Sequence, residues 1–136
     1  MDIGSMIMNK GVLELDHMSF KQLVSNTDKL VVVEFYLDTC EACQAMEPVL
    51  ESLSQELAEE AVFAKVDAQV NLDMALQYGV VGTPTFKLFC RDKFLGEIVG
   101  VTNATVLRNT IRDMIRHQAA CGVRTRKVPY ELDGYG

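Results

Sequence analysis

The chain of 136 residues lacks the features that direct a protein to a membrane, to secretion or to nucleic acid. No stretch approaches the roughly 18 uninterrupted apolar residues of a membrane-spanning helix. Residues 1–10 have neither a basic start nor a long apolar core, so they do not resemble a signal peptide. With 13 basic against 19 acidic side chains, the chain also lacks the basic surface that binds phosphates. We therefore expect a cytoplasmic protein that binds neither membrane nor nucleic acid.

Cysteine is scarce as well, with four residues in the whole chain. A secreted domain held together by disulfides would be shorter and richer in cysteine, whereas in a reducing cytosol a close cysteine pair is more often catalytic or metal-binding. Cys40 and Cys43 form the one close pair. Cys90 lies in an apolar stretch that predicts a buried, inert thiol, and Cys121 follows the last predicted helix.

Apolar residues make up 49% of the chain, enough to fill the core of one domain. Residues 30–37 are almost continuously apolar and β-branched, which is typical of a central strand covered on both faces. Further strands are predicted at residues 13–15, 62–67, 85–91 and 94–99, and helices at residues 16–25, 43–60, 71–78 and 103–118. The order β-α-β-α-β-α-β-β-α predicts an α/β fold, a mixed central sheet with helices on both faces.

This pattern also predicts the domain boundaries. We expect residues 1–11 to form an N-terminal extension, residues 12–118 to form the domain, and residues 119–136 to form a C-terminal tail.

The sequence Cys40-Glu41-Ala42-Cys43 lies where the central strand ends and a long amphipathic helix begins. Free N–H groups and the helix dipole favour a thiolate at a helix start, and the thiolate is the form that attacks disulfides. A CxxC at such a junction predicts a redox site. Zinc is the alternative, but it would need two more ligands, and the sequence offers neither a second CxxC nor a close histidine pair. We therefore expect no metal.

These residues together resemble the thioredoxin family. The segment Val31–Tyr36 leading into the CxxC, with Pro48 five residues beyond it, resembles the family's active-site strand and kinked helix. Further landmarks match in order and spacing at Lys65–Asp67, Tyr78–Thr85 and Gly100. The resemblance covers residues 12–118 and implies a thioredoxin fold.

The resemblance also implies roles for individual residues. Cys40 would be the attacking nucleophile, and Cys43 would resolve the mixed disulfide by attacking the Cys40 sulfur. Pro84 would follow a cis peptide bond and expose the backbone of Thr83, so that an extended substrate segment can pair with it as an added strand.

Glu34 stands where the family has a buried aspartate. We expect it to lie behind the thiols, with a raised pKa that lets it relay a proton to and from Cys43. Lys65, one strand over, could pair with it and moderate that shift. The alternative is a solvent-facing edge position, since charged side chains are rarely buried without partners.

The chain departs from the family pattern around the cysteines. Tyr36 and Thr39 replace two usual tryptophans, and Glu-Ala replaces the usual Gly-Pro between the cysteines. These departures concern redox potential and partner choice, and they leave the chemistry of the CxxC unchanged.

The expected function is therefore the reduction of disulfides in cytosolic partner proteins by a monomeric thiol-disulfide oxidoreductase. Its redox group would be a Cys40–Cys43 disulfide with no bound cofactor. Because no segment resembles a nucleotide-binding glycine loop, electrons would come from a thioredoxin-reductase-type partner. Two alternatives remain open: a disulfide oxidase or isomerase, and a thioredoxin-fold binding module without turnover.

Overall fold

A computed structural model describes residues 7–9 and 11–117 of the chain. Six strands occur in this part of the chain: β1 (Ile7–Asn9), β2 (Val12–Leu15), β3 (Leu30–Tyr36), β4 (Ala61–Asp67), β5 (Thr85–Cys90) and β6 (Lys93–Val99). Four helices accompany them: α1 (His17–Asn26), α2 (Glu41–Glu56), α3 (Leu72–Gln77) and α4 (Ala104–His117). The α/β class is confirmed, with one strand more than predicted.

The strands form a single mixed sheet in the order β1-β2-β4-β3-β5-β6. Strands β2, β4 and β3 run parallel to their neighbours within this group, whereas β1, β5 and β6 are paired antiparallel. Strand β3 lies inside the sheet, and its residues 30–35 are all buried. The central strand that leads into the CxxC is therefore paired with a neighbouring strand on each side.

The helices cover both faces of the sheet, as predicted. Because side chains alternate along a strand, Val31, Val33 and Phe35 pack with α1 and α3 on one face. Leu30 and Val32 point the other way and pack with α2 and α4. The same alternation places Glu34 on the face that α2 covers.

Two element boundaries differ from the sequence-based expectation. Strand β1 lies within the predicted N-terminal extension and pairs antiparallel with β2 across a turn at Gly11, whose φ is +87°. A strand of three residues is too short to show a periodic pattern. Helix α2 ends at Glu56 instead of residue 60, because the N–H of Glu60 bonds the Leu57 carbonyl in a turn after the helix.

Three further sequence-based predictions concern the C-terminal tail, Pro48 and membrane-spanning helices. The predicted tail, residues 119–136, lies outside the described residues. Helix α2 contains Pro48, as predicted. None of the helices within residues 11–117 is both long and apolar enough to cross a membrane.

Candidate active site

Cys40 and Cys43 are joined by a disulfide at the start of α2. Cys40 is the N-cap residue of the helix, and its Sγ accepts a hydrogen bond from the backbone N–H of Cys43 at 3.1 Å. Cys40 is half-buried, whereas only 3% of Cys43 is exposed. The two sulfurs therefore differ in access: the outer one, Cys40, can meet a partner, and it lies where the helix start stabilises negative charge.

A short turn carries the chain from β3 to this helix start. The backbone N–H of Cys40 donates to the carbonyl of Leu37 at 3.1 Å, and the N–H of Gln44 donates to the carbonyl of Cys40 at 3.1 Å. The side-chain amide of Gln44 also donates to the carbonyl of Asp38 at 3.0 Å. These bonds fix the turn from both ends, so the position of Cys40 follows directly from that of β3.

The Thr83–Pro84 peptide bond is cis, as the resemblance implied. Pro84 is buried, Thr83 is half-buried, and the Pro84 carbonyl accepts a hydrogen bond from Gly100 at 2.8 Å. Strand β5 begins immediately after Pro84 and runs antiparallel to β3, with Thr85 opposite Phe35. The start of β5 therefore lies beside the end of β3, and the Thr83–Pro84 segment is at the same end of the sheet as the turn that leads to Cys40.

Glu34 is 2% exposed, so its alternative as a solvent-facing edge residue is excluded. Burial raises the pKa of Glu34 to about 7, an effect opposed by the positive charge of Lys65 and reinforced by Glu47 and Glu14. Within the described residues, its Oε2 atom has no hydrogen-bond partner. A buried carboxyl with this pKa can take up or release a proton near neutral pH.

A cavity of about 190 Å³ lies between the Glu34 carboxyl and the inner cysteine. Glu34, Cys43, Glu47 and Lys65 are among the residues that line it. A polar cavity of this size has room for water molecules, which can bridge polar groups that do not touch. The arrangement therefore offers a route for a proton between Glu34 and Cys43.

Comparison with known proteins assigns the family. The family model described as Thioredoxin matches residues 11–113, about three quarters of the chain. This chain belongs to the thioredoxin family. Its membership of this family and its Cys40–Cys43 disulfide together identify the chain as a protein-disulfide oxidoreductase.

Individual thioredoxins are similar along most of their length. Thioredoxin of Buchnera aphidicola subsp. Baizongia pistaciae is 28% identical over 102 residues, which cover 75% of this chain and 94% of that protein. The bifunctional thioredoxin reductase/thioredoxin of Mycobacterium leprae is 32% identical over 108 residues, covering 79% of this chain and 24% of the relative. A solved structure, a mutant thioredoxin from Halobacterium salinarum, superposes with a TM-score of 0.72 at 31% identity and covers 79% of this chain and 94% of that one.

This thioredoxin-family chain carries a polar cluster beside Glu34 that sequence reasoning assigned only in part. The Lys65 ammonium lies 3.9 Å from Glu14 Oε1 and 5.1 Å from the centre of the Tyr36 ring. The Tyr36 hydroxyl donates to Glu14 Oε2 at 2.8 Å. In the described part of the chain, Lys65 forms no ion pair with Glu34, so the expected pairing is wrong. Its expected moderating effect is confirmed, because its charge lowers the pKa of Glu34. Glu14 was missed because a polar residue in a short strand resembles a solvent-facing position.

An apolar groove of about 370 Å³ adjoins Thr83 and was also missed. Val81 is 92% exposed, and Leu72 and Leu76 on α3 are 55% and 64% exposed. The groove is lined mainly by Leu37, Leu72, Leu76, Val80, Val81 and Thr83. Leu72 and Leu76 are four residues apart and therefore lie on one face of α3. A helix this short needs only one buried face, so a second apolar face could have indicated an exposed groove from the sequence.

Cys90 is buried in β5, as predicted. The prediction of an inert free thiol there is wrong, because its sulfur takes part in a disulfide. Cys121 lies outside the described residues. Across residues 11–117, no group of three or more His, Cys, Asp or Glu side chains is arranged to hold a metal ion.

Proposed function

We propose that this chain reduces disulfides in partner proteins, with Cys40 as nucleophile and Cys43 as resolving residue. The observation that carries the proposal is the unequal burial of the two cysteines at the start of α2. A partner sulfur can reach Cys40, while Cys43 can reach only Cys40. In the reduced protein, the Cys43 N–H that now bonds Cys40 Sγ would stabilise a thiolate on that sulfur.

The exchange proceeds in two steps. The Cys40 thiolate attacks one sulfur of the partner disulfide, forming a mixed disulfide and releasing the other partner sulfur as a thiolate. The Cys43 thiolate then attacks Cys40 Sγ, which closes the Cys40–Cys43 disulfide and releases the second partner sulfur. Two electrons pass to the partner, and a dithiol donor must return two to this chain in the same kind of exchange.

Glu34 acts in this proposal as the proton relay for Cys43. The Cys43 thiol must lose its proton before it can attack, and a buried thiol has little access to bulk water. With a pKa of about 7, the Glu34 carboxyl is partly ionised at neutral pH and can accept that proton through the shared cavity. The proton returns when the disulfide is reduced again.

Substrate binding is proposed at the surface formed by Thr83, Pro84 and the apolar groove. An extended partner segment would add as a strand along the backbone of Thr83, and an apolar side chain beside its cysteine would enter the groove. The exposed carboxylates of Asp38 and Glu41 flank Cys40 in sequence and would favour partners with basic residues around the disulfide.

The electron donor is proposed to be a thioredoxin-reductase-type protein. The Mycobacterium leprae relative supports this, because its name joins a thioredoxin reductase and a thioredoxin in one protein. This chain would bind no cofactor itself, act as a monomer and work in the cytoplasm. The finer choice between reduction and oxidation depends on its redox potential.

A trapping experiment tests the roles of the cysteines. Cys43→Ser should accumulate mixed disulfides with partner proteins, because nothing resolves them, whereas Cys40→Ser should accumulate none. The wild-type chain should also catalyse the reduction of insulin disulfides by dithiothreitol, with Cys40→Ser as the matched inactive control. Mixed disulfides on Cys43 in the Cys40→Ser variant would reverse the assignment, and equal insulin rates for both proteins would instead support a binding module.

A redox titration against glutathione and dithiothreitol decides the direction. The Asp38 and Glu41 carboxylates disfavour negative charge on Cys40, which destabilises the reduced form and makes it a stronger reductant. We expect a midpoint near or below about −270 mV. A midpoint above about −200 mV would support a disulfide oxidase or isomerase.

A further inference from the structure

Lys65 lies between two carboxylates that compete for it. The residues Glu14, Lys65 and Glu34 are direct neighbours across the adjacent strands β2, β4 and β3, and all three side chains are on the face covered by α2. The ammonium group is within ion-pair distance of Glu14, at 3.9 Å. Across the residues that the structure describes, Glu34 has no ion pair, and its Oε2 has no hydrogen-bond partner.

Two contacts of Tyr36 fix the outcome of this competition. Its hydroxyl donates to Glu14 Oε2 at 2.8 Å, which orients the carboxylate that holds Lys65. Its ring lies 5.1 Å from the Lys65 ammonium, within the range of a cation–π contact. The Glu14 side chain is 30% exposed, so an ion pair there costs less desolvation than one at Glu34, which is 2% exposed.

We propose that Glu14 is a positioning residue that holds Lys65 beyond ion-pair distance of Glu34 and so leaves the proton-relay carboxyl without a direct ion pair. The proposal rests on the proposed function of Glu34. Glu14 itself touches neither the cysteines nor the cavity between them and Glu34. Its effect on the chemistry therefore passes through Lys65.

The charges that face Glu34 come from three elements. Lys65 on β4 lowers its pKa, whereas Glu47 on α2 and Glu14 on β2 raise it through space. The remaining titratable residues around the cavity are Tyr36 and Asp38, because Cys43 is held in the disulfide in the oxidised protein. On the β5 side the cross-strand neighbour is Phe86, which is apolar. Removing the Glu14 charge should therefore lower the pKa of Glu34 for two reasons. It ends the repulsion between the two carboxylates, and it frees Lys65 to approach Glu34.

The test is Glu14→Gln, which keeps the shape and an acceptor for the Tyr36 hydroxyl. The carboxyl of Glu34 is titrated by carbon-13 NMR in the oxidised protein, where no turnover is needed. We expect its pKa to fall by about one pH unit or more, as for a carboxylate that gains a nearby cation. Glu47→Gln is the matched control, because it removes a repelling carboxylate on α2 that has no ion pair with Lys65, and it should produce a smaller fall.

Repeating the measurement in a Lys65→Met variant distinguishes the positioning of Lys65 by Glu14 from simple repulsion between Glu14 and Glu34. In Lys65→Met, the pKa of Glu34 should rise, and the effect of Glu14→Gln should shrink to that of a distant charge, while the effect of Glu47→Gln stays the same. An unchanged pKa of Glu34 in Glu14→Gln would overturn the proposal. So would an equal effect of Glu14→Gln with and without Lys65.

The pH profile of insulin reduction distinguishes failure of this inference from failure of the proposed function. If the positioning role of Glu14 and the proton relay through Glu34 both hold, the limb of the pH–rate profile near neutral pH shifts to lower pH in Glu14→Gln. The shift should follow the Glu34 pKa measured by NMR. If the NMR pKa moves and the profile does not, the positioning role of Glu14 stands and the proton relay through Glu34 is wrong.

Discussion

Replacing Glu34 with Gln should stabilise this protein above neutral pH. Burial raises the pKa of Glu34 from its ordinary 4.5 to about 7, so the folded state opposes ionisation of this carboxyl. Since one pH unit corresponds to about 1.4 kcal/mol, the ionised carboxylate costs the folded state roughly 3 kcal/mol. Glutamine has the same shape and never ionises. We therefore expect Glu34→Gln to be about 3 kcal/mol more stable than wild type at pH 8, with a Tm higher by on the order of 10 °C.

The pH dependence gives the sign of the effect. The folded state binds more protons than the unfolded state between the two pKa values, so wild-type stability should fall as the pH rises from about 4.5 to about 7. Below pH 4.5 the carboxyl is protonated in both states, and the two proteins should be about equally stable. Urea unfolding at pH 4, 6 and 8, followed by circular dichroism, measures the difference.

Glu59→Gln serves as the matched control because it removes an exposed carboxylate. It should unfold like wild type at each pH. A Glu34→Gln variant that is no more stable than wild type at pH 8 would refute the reasoning, because it would mean that Glu34 is solvated or well paired in solution.

Three further predictions concern activity and the core. Glu34→Gln should slow insulin reduction near neutral pH and remove one limb of the pH–rate profile. Unchanged rates between pH 6 and 9 would mean that Glu34 has only a structural role. Val81→Asp should raise KM for insulin by about tenfold with little change in kcat, since a charge weakens binding at the apolar groove, while Val106→Asp on α4 should have no such effect. Leu53→Ala should cost about 2–5 kcal/mol in urea unfolding, because Leu53 is fully buried between α2 and the sheet.

The sequence was sufficient wherever a signal is local. A continuous apolar run predicted β3, and a helix start directly after it predicted the position of Cys40. Both follow from neighbouring residues, because burial on two faces requires apolar residues throughout and a helix start needs its cap at one position. Boundaries that depend on weak local patterns, such as β1 and the end of α2, were not predicted.

The separated motifs identified the fold. The strand, the CxxC, the Thr83–Pro84 segment and Gly100 recur in a fixed order, so the resemblance could imply a mixed sheet whose topology periodicity alone does not determine. The cis bond at Pro84 and the mixture of parallel and antiparallel strands agree with that expectation.

The sequence by itself therefore determined the fold, the family and the place of the cysteine pair. The tertiary structure alone decided which charges surround Glu34 and which apolar residues form the groove beside Thr83. Glu14, Glu34 and Lys65 are distant in sequence and become neighbours only because β4 inserts between β2 and β3. Whether Lys65 pairs with one carboxylate or the other then depends on Tyr36 and on the water left around each group, and these are properties of the folded packing that no local pattern contains.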